Sequence, residues 1–325
     1  MLSRRVLVAG LGVALPAIAG AQSRKKIVVG FVSWWPAFME GDYVPRLRKA
    51  LAVLGYVESR SLELLVTFTG GDPALTRETA KRLVARAVDV IVVTATPVAT
   101  IVKEETQASQ IPVVMAPVSD PLATGLVQSI ARPGGNLTGM SMAGPDLSGK
   151  RLQLLRDIMP NLEVLAFVGS NRDPNTKTFA ASPERVAAQA GLRLVVRMVD
   201  SPAQIDDALM ADLKQAGAQA LNIQPIFIGQ HVKIIETATR AGLPSTSDFP
   251  VFAEAGALFS YGLDDRARTE RAAYFIDRIV KGTKPADLPI ELPTEFVLIV
   301  SRKAAAGFGL SLPPGVIAQA NEVIE

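Results

Sequence analysis

Short, continuous apolar runs rich in β-branched residues alternate along this chain with longer segments of helical spacing, and that alternation leaves few folds open. Residues 27–33 are such a run, ending in a polar turn. Residues 43–54 follow with Val44, Leu47, Leu51 and Leu54 on one helical stripe. A second strand is predicted over 62–68, then a helix over 73–87 with Asp72 as N-cap and Pro73 in its first position. A third strand over 88–94, a helix over 98–108 and a fourth strand over 112–118 continue the pattern. Strands with no polar alternation are covered on both faces, the situation of a parallel sheet between helix layers.

The pattern breaks at 132–136, Arg-Pro-Gly-Gly-Asn, followed by a short strand at 137–141. It then restarts. Helices are predicted over 147–158, 182–190, 202–216, 232–241 and 266–281, and strands over 164–169, 192–199, 220–223 and 257–261. An extended run at 295–300 precedes a short terminal helix. The expected class is α/β, as two doubly wound parallel-sheet lobes. Ligands in such sheets sit beyond the C-terminal strand ends. In the first half that rule nominates Ser33, Trp34, Trp35, Thr94, Thr96, Pro97, Ser119 and Asp120. In the second it nominates Ser170, Asn171, Gln224, Asp248 and Tyr261. Trp34 and Trp35 are the only tryptophans. Adjacent residues on an extended segment point opposite ways, so either one packs inward while the other faces the cleft, or both are packing residues.

The first 21 residues give an expected address. Arg4 and Arg5 precede an uncharged, mostly apolar run at 6–19, and Ala19-Gly20-Ala21 offers small residues for cleavage before Gln22. A run of about 14 residues is shorter than the roughly 20 a spanning helix needs, so it reads as a secretory signal peptide. The Arg4-Arg5 pair also suits the twin-arginine route, and both routes stay open. The chain has no cysteine, which excludes a lipoprotein anchor, disulfides and thiolate chemistry. The expectation is a freely soluble periplasmic protein. Of 34 Lys plus Arg against 31 Asp plus Glu, Arg4 and Arg5 belong to the leader, so the charge balance gives no reason to expect a nucleic-acid partner.

Enzyme-like motifs fail on inspection. Residues 144–150 have phosphate-loop spacing, but Arg151 stands where magnesium binding needs Ser or Thr, and Pro145 removes a backbone donor. Residues 139–143 resemble a nucleophile elbow whose last glycine is alanine. His231 is the lone histidine, which leaves neither a serine triad nor a zinc set. The carboxylate pairs Asp206/Asp207 and Asp264/Asp265 read as a solvated helix face and a helix cap. No enzyme, metal or cofactor is expected.

An ordered set of segments carries a family resemblance. Ile111-Pro-Val-Val through Ser119-Asp-Pro121, Gly125-Leu-Val-Gln-Ser129 and Pro133-Gly-Gly-Asn-Leu-Thr-Gly139 come in the first half. Gly256-Ala-Leu-Phe-Ser-Tyr-Gly262, Gly282-Thr-Lys-Pro-Ala-Asp-Leu-Pro289 and Glu291-Leu-Pro-Thr-Glu-Phe296 are the most specific. Gly309-Leu-Ser-Leu-Pro313 and Ala320-Asn-Glu-Val-Ile-Glu325 close the set. The chain resembles the periplasmic substrate-binding proteins of ABC transporters, in the tryptophan/tyrosine-type group. It departs from them at Ser301, where the family usually has Asn, and in the partly matching segment 169–175.

The resemblance implies a type I periplasmic-binding fold with three crossings, near 141–146, 262–265 and 289–293. Gly144, Gly262 and nearby prolines would act as hinges. After a signal peptide at 1–21, the lobes are expected at 22–141 plus 265–290 and 142–264 plus 291–325. A small molecule would be closed upon and delivered to an inner-membrane permease by a monomeric receptor. Ser33, Thr96 and Ser119 would bind a carboxylate, Asp120 or Asp248 an ammonium, and Trp34 and Tyr261 would form flat walls. That chemistry suits an aromatic or branched amino acid, or an aromatic acid. The alternative is an exported sensor feeding a signalling partner. A regulator of the lac-repressor type would need a DNA-binding helix-turn-helix where the export signal stands.

Overall fold

The computed structural model describes residues 26–37, 43–142, 147–173, 176–263 and 268–325. The leader and the crossing residues 143–146 (with Gly144) and 264–267 (with Asp264 and Asp265) lie outside them.

The first sheet contains β1 (Ile27–Ser33), β2 (Leu62–Phe68), β3 (Val90–Val93), β4 (Val113–Val118) and β5 (Leu137–Ser141), in the order β2-β1-β3-β4-β5. Every pairing is parallel. Alternate residues face opposite sides: Val90 and Val92 join one core, Ile91 and Val93 the other. The first core includes α1 (Tyr43–Val53), which buries Tyr43, Val44, Leu47 and Leu51 on the stripe its spacing predicts. The second core is closed by α2 (Pro73–Ala85) and α3 (Thr96–Thr106). Asp72 caps α2, with a carboxylate oxygen accepting from the Ala74 and Leu75 N–H groups at 2.8 and 3.3 Å. Asp72→Ala is expected to lose about 1 kcal/mol of unfolding free energy, measured by urea denaturation at unchanged m.

The second half runs α4 (Ser148–Ile158), β6 (Val164–Ser170), α5 (Thr176–Gln189), β7 (Arg193–Val199), α6 (Asp207–Gln215), β8 (Ala220–Ile223), α7 (His231–Arg240), β9 (Ser245–Ser247), α8 (Pro250–Glu254) and β10 (Phe259–Leu263). The chain then forms α9 (Arg268–Val280), β11 (Phe296–Ser301), α10 (Arg302–Gly307), α11 (Pro314–Gln319) and β12 (Glu322–Ile324). The second sheet has the order β12-β11-β10-β9-β8-β6-β7. It is mixed rather than wholly parallel, because β11 runs antiparallel to β10. Helix α9 leaves this sheet and packs through Ala272, Phe275 and Ile276 into the α1 core of the first. The chain then returns past Glu291, which bridges to Met140 of β5, and starts β11 at the end where β10 finishes. That return reverses the strand direction.

Three elements hid from sequence reasoning because their composition is atypical. Strand β9 is Ser-Thr-Ser, yet wholly buried, with the Ser247 hydroxyl donating to the Ile223 carbonyl at 2.8 Å. Helices α8 and α10 are five and six residues long, too short for a period to show. The tail adds β12 as an edge strand after the expected helix. No helix among the described residues is long and apolar enough to cross a membrane.

Candidate ligand cleft

The C-terminal ends of the two sheets face one another. A cavity of about 490 Å³ lies between them, with Trp34, Trp35, Pro36, Gly70 and Gly71 on one side and Pro202, Ile226, Phe227, Gly229 and Gln230 on the other. Ile226 packs against the cores of both lobes. A Cβ placed on Gly229 would lie 3.5 Å from Pro36 Cδ, so the lobes already touch here. Both tryptophans line this one cavity. Trp34 is also a core residue at 6% exposure, while Trp35 is half-buried. Strand alternation does not apply to them, because β1 ends at Ser33, whose hydroxyl accepts from the Trp35 N–H at 3.0 Å and bends the chain.

Buried hydroxyls line the first lobe's strand ends. Thr94 Oγ1 donates to Ser33 Oγ at 3.0 Å. Thr96 Oγ1 accepts from the Ser119 N–H at 3.2 Å, and Ser141 Oγ donates to the Ser119 carbonyl at 2.8 Å. Thr96 and Pro97 are buried in the first turn of α3. The residue before them, Ala95, has φ 66° and ψ 150°, a region costly for any residue with a Cβ. Strain of that kind is typical of sites where geometry serves a ligand rather than stability. Asp120 is partly committed already. One of its carboxylate oxygens accepts from the Leu122 and Ala123 N–H groups at 3.1 and 2.9 Å and caps that turn.

The second lobe is organised differently. Gln224, 1% exposed, accepts at Oε1 from the Ser170 N–H at 2.8 Å and from Thr176 Oγ1 at 3.2 Å. Its Nε2 donates to Asp173 Oδ2 at 2.7 Å, inside a buried network. Asn171 is not part of that network; it is exposed and donates to Asp200 at 2.9 Å. The expectation that Asp248 awaits a ligand ammonium needs correction. Its carboxylate pairs with Arg151, both side chains being 3% exposed. Arg151 Nε also donates to the Tyr261 carbonyl at 3.0 Å. Burial pushes the Arg151 guanidinium down to about 9, which leaves it charged at neutral pH to match the carboxylate. The Tyr261 ring lies half-buried, 6.1 Å from Phe296.

Gly262, expected to serve as a hinge, is a position of close backbone packing. Its φ is ordinary, and a Cβ there would overlap the Asp248 carbonyl. The glycine permits close approach of two backbones.

Sequence reasoning missed Arg151, Asp173 and Thr176 as the partners of Asp248 and Gln224. Arg151 left a trace: it stands on the stripe of Leu154, Leu155 and Ile158, where an apolar residue belongs. Among the described residues no group of three or more His, Asp or Glu side chains could hold a metal ion. His231 Nδ1 lies 2.7 Å from the Ile228 carbonyl, and its ring packs edge-on to Phe252.

Comparison with known proteins follows this architecture. The tyrosine-binding protein of Clostridioides difficile is 22% identical over 254 residues, covering 78% of this chain and 72% of the relative. A conserved domain protein from Vibrio cholerae matches with a TM-score of 0.85 at 24% identity, over 92% of this chain and all of that one. A Streptococcus pneumoniae ABC domain in complex with L-Trp matches equally, with a TM-score of 0.85, 24% identity and the same coverage. The family described as ABC transporter substrate binding protein matches residues 40–324. That stretch takes in strands of both sheets and the return between them, and the chain belongs to this ABC transporter substrate-binding protein family.

Proposed function

We propose that this protein is the periplasmic receptor of an ABC importer, exported by its N-terminal signal. It closes as a monomer on a small molecule and delivers it to an inner-membrane permease. The observation that carries the reading is the interlobe cavity walled by Trp34, Trp35 and Phe227; the hydroxyls of Ser33 and Thr94 are buried at the strand ends of the same lobe and do not line it. Flat apolar walls suit an aromatic or branched amino acid, or an aromatic acid. The similarity to a tyrosine-binding protein and to a domain crystallised with L-Trp supports that class. Ser33, Thr96 and Ser119 would hold the carboxylate. Closure follows because a ligand touching both lobes binds the closed arrangement better. The lobes are proposed to bend at the three crossings, with boundaries at 22–141 plus 265–290 and 142–264 plus 291–325.

The test is thermal unfolding of the chain from Gln22 onward against amino acids and aromatic acids. A true ligand at 100 times its Kd should add about 2.7 kcal/mol of stability. Because the chain's two tryptophans both line the cavity, a non-fluorescent ligand such as L-leucine should change intrinsic emission saturably if it binds there. Thr96→Ala should weaken binding roughly tenfold or more, the worth of one hydrogen bond to a charged group. Unchanged melting across the whole library would overturn the ligand class, and unchanged affinity in Thr96→Ala would remove that residue from the site.

A further inference from the structure

A second cavity, of about 530 Å³, lies among the connections between the lobes and shares no described residue with the tryptophan cavity. Its walls come from the end of β5 (Met140), the end of β10 (Leu263), the first turns of α9 (Arg271) and the return segment 291–295. Two of the three connections begin within a few residues of these walls and the third passes through them. An occupant therefore touches both lobes and the chain that joins them.

The lining has a definite chemistry. Met140 and Leu263 form a buried apolar base, and Leu292 stands 52% exposed at the rim. Arg271 forms a two-point ion pair with Glu291, and its guanidinium lies 4.1 Å from the Tyr274 ring centroid. That cation is satisfied on both sides. Glu295 is exposed and has no ion-pair partner among the described residues. Among the described lining residues, one arginine against two glutamates leaves a single negative charge.

We infer that this groove binds a small amphiphilic monocation, an apolar body carrying one ammonium, with the body over Met140, Leu263 and Leu292 and the ammonium at Glu295. Because the groove spans the connections, its occupant favours one lobe arrangement and changes the affinity of the cleft for its own ligand. By linkage the cleft ligand changes the groove affinity by the same factor. This coupling rests on the receptor reading above; the groove itself does not.

The probe is hexylammonium, with hexanoate and hexanol as controls, added to the full mature chain carrying ¹³C-methyl methionine. The Met140 resonance, identified through Met140→Leu, should shift saturably with hexylammonium and far less with either control. Glu295→Gln should weaken that binding about fivefold or more. No shift, an equal response to hexanoate, or no loss in Glu295→Gln would overturn the site. Saturating hexylammonium should also change the Kd of whichever cleft ligand the melting screen yields by about fivefold or more. An unchanged Kd alongside a clear Met140 shift would overturn the coupling alone. A screen that yields no cleft ligand sinks the receptor reading, while the Met140 shift still decides the groove.

Discussion

Arg151→Met should lower the unfolding free energy by roughly 3–5 kcal/mol, because it strands a buried carboxylate. Arg151 and Asp248 are each 3% exposed, and Arg151 also ties the start of α4 to the Tyr261 carbonyl of β10. Removing one partner leaves the other's desolvation uncompensated. Removing both does not, so Arg151→Met with Asp248→Leu should recover most of the loss. Urea unfolding of the two single variants and the double variant measures the coupling directly. Single and double losses that simply add would show that the pair does not interact. The single variant should also gain a pH dependence. Without Arg151, burial holds the Asp248 carboxyl above its unfolded value of about 3.9. The folded chain then binds more protons than the unfolded one across that interval, so stability falls as pH rises through it. The deficit should be smallest near pH 4 and largest at neutral pH, a trend the parent protein should lack.

Gly139→Ala and Gly262→Ala should each cost about 3 kcal/mol or more. A Cβ on Gly139 would overlap the Met115 carbonyl oxygen and lie 2.5 Å from the Met115 nitrogen, and its φ of +127° is itself unfavourable for alanine. At Gly262 the conflict is purely steric, with Asp248 C at 2.9 Å and Cα at 3.1 Å. In both cases the obstacle is backbone in a neighbouring strand or loop, which cannot swing aside as a side chain can. Gly135→Ala is the control: its φ is ordinary and nothing lies within 4 Å of an added Cβ, so its effect should stay within about 0.5 kcal/mol. Melting temperature and urea midpoint check all three, and a mild Gly262→Ala would mean that β10 and the Asp248 loop can separate.

The strands of the first sheet were legible because a strand covered on both faces must be apolar throughout, as 27–32 and 90–93 are. The helices that cover it were legible for the complementary reason. Leu47 and Leu51 recur at the helical period because one side of α1 meets the sheet and the other meets water. Strand β9 was not legible, since Ser-Thr-Ser carries no apolar run, and the bond from the Ser247 hydroxyl to the Ile223 carbonyl of β8 is a contact that composition does not reveal. The candidate site divides similarly. The strand-end rule nominated Trp34 and Trp35, which line the interlobe cavity, and Ser33, Thr94, Thr96, Ser119 and Gln224, which are buried at strand ends and do not line it.

The roles of those residues depend on partners far away in the chain. Asp248 and Arg151 are 97 positions apart, and only folding shows that the acid is already neutralised. Trp34 and Trp35 were expected either to diverge or both to pack, until a hydroxyl at Ser33 bent the chain and turned both towards one cavity. Gly262 has the composition of a hinge and the surroundings of a close packing contact. The sequence by itself determined the α/β class, the division into two sheets and the position of most strand ends, since periodicity and burial act over a few residues at a time. The antiparallel return of β11, the direction in which each tryptophan faces and the pairing of the buried charges were decided by the tertiary structure, since each depends on which distant backbone or side chain arrives alongside.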